Sequence, residues 1–197
     1  MADAARQQRV LVIACGALAR EIAALTRGLA HIHLHCLPAT LHNRPERIAP
    51  AVQAAIRAAR ADYGRIFVAY AECGTGGALD AVLAEEGVGR LPGPHCYAFY
   101  TGLDAFMAAG DADMRSFFLT DFLARQFQAL VIEPLGLDRF PDLRDSYFGA
   151  YARVVYLAQT DDPALDQAAR TAAARLGLDY ERRFTGYGDL PAALENA

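Results

Sequence analysis

Lysine is absent from this 197-residue chain, and all 19 of its basic residues are arginine. The omission excludes a Schiff-base lysine, a lysine general base and the lysine of a phosphate-binding P-loop. Pyridoxal-phosphate enzymes and ordinary P-loop NTPases are thereby ruled out. Long apolar runs are missing too. No stretch approaches the roughly 20 residues that cross a bilayer. Residues 1–8 are polar, carry no apolar signal core, and are expected to be disordered. Positive charge is not in excess: the net charge is −4 and the pI is near 5.7. Nucleic acid and anionic membranes are therefore not expected as partners. A cytoplasmic address is expected, where four cysteines are free, catalytic or metal-bound rather than disulfide-paired.

What is present suffices for a full core. Hydrophobic residues make up 54% and charged residues 21% of the chain, which fits one domain over residues 1–197. Residues 9–15 (RVLVIAC), 65–70 (RIFVAY) and 153–159 (RVVYLAQ) are short, β-branched apolar runs of the buried-strand kind. Residues 31–37 alternate as a half-exposed strand, and 88–91, 116–119 and 178–184 supply further strands. Helical spacing separates them, with Leu18, Ile22 and Leu25 on one face, then Ile48, Val52 and Ile56, then Leu79, Val82 and Leu83. Asn43 suits an N-cap ahead of Pro45 and Glu46, and Asp161-Asp162-Pro163 marks a second helix start. The alternation predicts an α/β fold: a doubly wound, mostly parallel sheet flanked by helices, in Rossmann-like or flavodoxin-like layering.

In such a sheet the carboxyl ends of the strands share one crevice, and ligands bind there. Cys15, Cys73 and Cys96 each stand where a strand gives way to a loop. Their contexts are Ala14-Cys15-Gly16, Glu72-Cys73-Gly74-Thr75-Gly76-Gly77 and Gly93-Pro94-His95-Cys96. Three thiolates make a soft site suited to zinc or an iron–sulfur cluster, with one coordination position left for water or substrate. The spacing is neither that of a zinc ribbon nor that of a ferredoxin. The same atoms support a metal-free alternative, with Cys73 or Cys96 as a nucleophile whose pKa is lowered by a helix amino terminus or by His95. Cys36 ends the second strand, where His31, His33 and His35 alternate onto a face read as solvated.

Glycines let the backbone of residues 74–77 approach a ligand, and amides at a helix start attract anions. Glu72, Gly74, Thr75, Gly76 and Gly77 are therefore candidates for ligand binding. The run is not a dinucleotide fingerprint, which belongs after the first strand, so no nicotinamide or flavin is expected. His42 and His95 are the candidates for moving a proton, with Asn43 and Tyr97 as neighbouring ligand contacts. Glu21, Glu72 and Asp121 are the nearest acids, Glu21 being placed on a helix surface.

Taken in order, these motifs resemble domain of unknown function 1638, a family found in bacteria and archaea. The resemblance rests on Cys15-Gly16 with Glu21, Leu41-His42-Asn43 with Pro45, Tyr70, and Cys73-Gly74 with the following glycines. It continues through His95 with Cys96, Gly102 and residues 116–120 (SFFLT). The resemblance implies one-carbon or methylated-compound metabolism, because members are often encoded near corrinoid-dependent methyltransferases. A corrinoid protein or methyltransferase is the partner it implies. The expected function is a small-molecule metalloprotein, an enzyme in the first reading. The alternatives are a metal-free cysteine transferase or hydrolase, and a non-catalytic accessory protein of a methyltransferase system.

Overall fold

A computed structural model describes residues 8–109 and 113–195. The disorder expected of residues 1–8 falls, apart from Gln8, outside the described residues. The chain divides into two compact units, one made of residues 1–99 and 189–197, the other of residues 100–188.

The first unit is built on a parallel sheet of β1 (Val10–Cys15), β2 (Ile32–Leu37), β3 (Arg65–Ala69) and the two-residue β4 (Gly89–Arg90). Their order is β2-β1-β3-β4. Val12, Ile13 and Ala14 of β1 have no solvent contact, as the apolar run 9–15 requires. β2 lies at the edge and pairs with β1 from Val10↔Ile32 to Cys15↔Leu37, so its histidines keep partial exposure. Helices α1 (Ala19–Leu25), α2 (Ile48–Ala59) and α3 (Ala78–Glu86) connect these strands. α2 buries Ile48, Val52 and Ile56 against β1 and α3. Arg57 of α2 and Arg60, the residue just past its end, reach Glu86 of α3 at 2.6 and 2.9 Å.

Two local departures from the sequence reading matter for the site. The α2 segment does not begin at Asn43. Residues Ala39–Asn43 form their own 3-10 turn, Pro45–Arg47 a second, and neither is capped by a side chain. Glu21, expected on a helix surface, is 4% exposed. Leu18, Glu21, Ile22 and Leu25 fall at spacings of three and four residues, so the helical period itself places this carboxylate on the inward face.

The second unit carries β5 (Ser116–Thr120), β6 (Arg153–Ala158) and β7 (Asp179–Phe184), again all parallel, in the order β5-β6-β7. The short helices α4 (Cys96–Thr101) and α5 (Leu103–Ala109) precede β5. α6 (Asp121–Arg125) starts directly on β5, with the Thr120 hydroxyl accepting the Leu123 amide at 3.3 Å. α7 (Arg144–Phe148) is a single short helix that buries Phe148. α8 (Pro163–Leu176) starts where the sequence places it: the Asp162 carboxylate accepts the Ala164 amide at 2.9 Å and Gly177 closes the far end at φ +65°. Leu165, Ala169, Ala172 and Leu176 pack with Leu119, Val154 and Tyr156 in one core. α9 (Leu190–Glu195) returns to the first unit. The α/β class and the parallel pairing agree with the sequence; the strands are shared between two sheets.

Candidate metal and substrate site

Every residue singled out for chemistry except Asp121, which belongs to the second unit, lies in the first unit. The strand order explains why. From β1 the chain moves outward to β2, then returns to pair β3 on the other side of β1, and continues outward to β4. The loops leaving β1 and β3 therefore part from one another, which is the crevice where open α/β sheets bind ligands. Cys15 ends β1, Cys73 follows β3 by four residues, Cys96 follows β4, and His42 follows β2.

Cys15 is 3% exposed. Its sulfur accepts the Ala17 amide at 3.3 Å and so caps the turn Gly16–Leu18. The His42 Nδ1 lies 3.6 Å from the same sulfur and 3.3 Å from the Ala39 carbonyl oxygen. A carbonyl only accepts, so Nδ1 carries the proton and Nε2 keeps its lone pair. The His42 ring stacks on Tyr70, with centroids 6.1 Å apart and planes at 11°. Desolvation lowers the His42 pKa below its ordinary value, which keeps the ring neutral. His42 is an exposed residue of the Ala39–Asn43 turn.

Cys73 is held in an unusual backbone conformation, φ +55°, the one described non-glycine residue at positive φ. A side chain there costs about 1 kcal/mol, and cross-loop hydrogen bonds hold it in place. The Glu72 and Cys73 amides donate to the carbonyls of Gly93 and Pro94 at 3.1 and 2.7 Å. Arg90 ties the same turn to α3, bonding Asp80 at 2.6 Å and the carbonyls of Leu91 and Gly93 at 2.6 and 3.3 Å. The loops that carry Cys73 and Cys96 are thus stitched together.

The three thiols feel one another. Burial raises the Cys15 pKa to about 11 and the Cys73 pKa to about 12, with Cys15 adding to the rise at Cys73. Cys96 is pushed well up, first by burial and then by Cys73 and Cys15. Cys96 is half-buried. The lowered pKa expected of a nucleophilic Cys73 or Cys96 is therefore reversed, because desolvation and like-charge repulsion outweigh the nearby amides. Among the described residues, no three His, Cys, Asp or Glu side chains stand ready to hold a metal ion. The donor chemistry suits a soft metal; the loops are not closed around one.

The glycine loop already holds an anion, and it is the chain's own. The Glu72 carboxylate accepts the amides of Gly74 and Gly77 at 2.8 and 3.0 Å and the Thr75 hydroxyl at 2.6 Å. The Thr75 hydroxyl and then the Gly77 amide lower its pKa. Gly74, Gly76 and Gly77 all adopt positive φ, which explains the glycines without a ligand. His95 meets the Tyr97 ring at 5.0 Å, and desolvation lowers its pKa. Asn43 is exposed beside His42.

Sequence reasoning passed over Tyr70 as a functional group. It is 1% exposed, and its own pKa is raised first by burial and then by Cys15, with smaller contributions from Cys73 and Cys36. The signal was its place one residue past β3, at the crevice.

The family described as "Protein of unknown function (DUF1638)" matches residues 36–194. The chain belongs to this family. His42, Tyr70, Cys73, His95 and Cys96 fall within the matched span, whereas Cys15 and Glu21 precede it. No curated protein and no solved structure matches the chain. No helix among the described residues is long and apolar enough to cross a membrane.

Proposed function

We propose that the first unit binds a soft metal, zinc or an iron–sulfur cluster, through Cys15, Cys73 and Cys96, and acts on a small molecule at the carboxyl ends of its strands. What supports this reading is the placement of the three thiols at strand exits of one sheet, with Cys15 ending β1 and the loops of Cys73 and Cys96 joined by the Glu72 and Cys73 amides donating to the carbonyls of Gly93 and Pro94 at 3.1 and 2.7 Å. Each sulfur is too buried to ionise unaided near neutral pH. A bound cation reverses that balance, because it replaces mutual repulsion with attraction and takes the thiolates as ligands. Three protein ligands leave a position for water or substrate. His42 Nε2 and His95 are the bases proposed for proton movement, with Glu72 and residues 74–77 bordering the pocket. On the resemblance alone, the substrate class is a one-carbon or methylated compound, and a corrinoid protein or methyltransferase is the partner.

The test is anaerobic purification followed by metal and acid-labile sulfide analysis. About one metal site per chain is expected, and Cys73→Ser should lose it while remaining folded. A folded protein that is metal-free after both aerobic and anaerobic purification defeats the reading.

A second reading is a metal-free transferase or hydrolase with Cys73 or Cys96 as its nucleophile, His95 standing directly before Cys96 in the chain. It predicts one thiol that alkylates far faster than the others at neutral pH. Equal, slow labelling of all four thiols rejects it.

A further inference from the structure

A strand at the edge of a sheet presents a row of unpaired amides and carbonyls, and proteins protect such edges by shortening, covering or charging them. Among the described residues there are four sheet edges, and three are protected in one of these ways. β4 has only two residues, β5 is buried at four of its five positions, and β7 carries Asp179, Glu181, Arg182 and Arg183. β2 is the exception. Its residues Ile32–Leu37 include no charged side chain and no proline, and its pairing with β1 runs unbroken, without a bulge. His35 and Cys36 are exposed.

The ladder fixes which groups are free. The Val10 amide donates to the His31 carbonyl at 2.9 Å, while Val10 stands level with Ile32. In a parallel ladder this turns the odd-numbered residues of β2 toward β1 and points the amides and carbonyls of Leu34 and Cys36 outward. Among the described residues no further strand pairs with them. The Ile32 amide also points outward, but the Leu29 carbonyl takes it at 3.0 Å.

We infer that β2 is a dimerisation edge, occupied by β2 of a second copy of this chain, antiparallel about a two-fold axis at Leu34. The strand is its own complement there. Leu34 exchanges both backbone bonds with Leu34 of the second copy, and the Cys36 amide donates to the Ile32 carbonyl in each direction. Ile32 meets Cys36 and His33 meets His35 across the seam, so no carboxylate or guanidinium is set against its like. Axes at Ile32 or Cys36 are poorer, because the Ile32 amide is taken and Pro38, which would face Leu34, has none. A groove of about 550 Å³ between the two histidines and the small side chains Ala55, Ala58 and Ala59 of α2 leaves the second copy's imidazoles room beside this edge.

Sedimentation velocity of the full chain over a dilution series tests this. The expected mass is twice the 21.3 kDa of one chain, and Leu34→Pro and His35→Lys should each weaken the dimer at least about tenfold. Leu34→Pro removes the central amide, and His35→Lys charges an exposed position. Both should keep the wild-type circular dichroism, since the lost amide points away from β1 and an edge tolerates proline there. Ile32→Cys reads the register. It stands opposite Cys36 of the second copy, with Cα atoms about 5.5 Å apart, inside disulfide range, so mild oxidation should give a cross-linked dimer. In wild type the two Cys36 residues are roughly 13 Å apart and should stay unlinked. A wild type that remains monomeric, or that assembles only with a different protein, overturns the inference. So does a dimer that survives both Leu34→Pro and His35→Lys, or one that Ile32→Cys fails to cross-link.

Discussion

A buried carboxylate is costly unless its oxygens are engaged, and Asp121, 1% exposed, meets that condition. Its oxygens accept the Tyr156 hydroxyl at 2.7 Å, the Gln159 amide at 3.0 Å, and the Thr160 hydroxyl. Sequence analysis named Asp121 among the acids available for catalysis; the structure uses it to lock the ends of β5 and β6. Asp121→Ala strands those three donors, so we expect a loss of about 3 kcal/mol or more in urea unfolding. Asp113 acts differently. Arg183 first, then Arg153, lower its pKa, with contacts at 2.7 and 3.0 Å. A carboxyl whose folded pKa lies below its unfolded value stabilises the fold above that unfolded value, near pH 4. The contribution disappears as the pH falls through the folded value. Asp113→Asn should therefore flatten the acid side of the stability–pH curve and leave its shape above about pH 5 unchanged. An identical acid limb in the two proteins contradicts this.

Elements follow local rules, and most of their positions were legible. Asp162 holds α8 where the residues indicate, and Thr120 holds α6 in the same way. Asp162→Ala should cost about 1 kcal/mol in thermal or denaturant unfolding, with the melted fraction of α8 visible by amide exchange. The Asn43 cap failed because residues Ala39–Asn43 close a turn of their own, leaving Asn43 at the end of a turn rather than ahead of one. Gly16 shows how tightly the β1 and β2 exits are packed. A Cβ there would stand 3.0 Å from the Leu37 carbonyl oxygen and 3.3 Å from the Ala39 amide nitrogen. Gly16→Ala should lower the melting temperature and shift the His42 NMR resonances, because the displaced backbone is the one that carries the histidine. A variant with wild-type melting and unmoved His42 signals contradicts that packing.

At the scale of the whole chain, each unit has its own parallel sheet. Residues 100–188 are contiguous and enclose a core around Leu119, Val154, Tyr156, Ala169 and Leu176. That fragment should fold alone with a cooperative melt by circular dichroism. The first unit is discontinuous, since α9 brings Leu190 and Leu194, both buried, back to it from the chain's end. Removing residues 189–197 should therefore destabilise the first unit. A non-cooperative fragment 100–188 would count against this division. The sequence, with no linker or composition break, offered no sign of it. Division into units depends on which strands share a ladder, and β4 and β5 carry no mark saying that they do not.

The amino-acid sequence alone determined the class and the elements of this protein, because β-branching, helical period, capping residues and proline act within a few residues of one another. It also placed the cysteines and His42 at strand exits, and the order of its motifs matched the family. Tertiary structure decided the rest. Pairing β1 between β2 and β3 brought residue 42 against residue 15. Folding also turned Glu72 into the anion of its own glycine loop and buried Tyr70 against the His42 ring. These outcomes depend on burial and on contacts between groups set by the fold, and no short window of sequence encodes either.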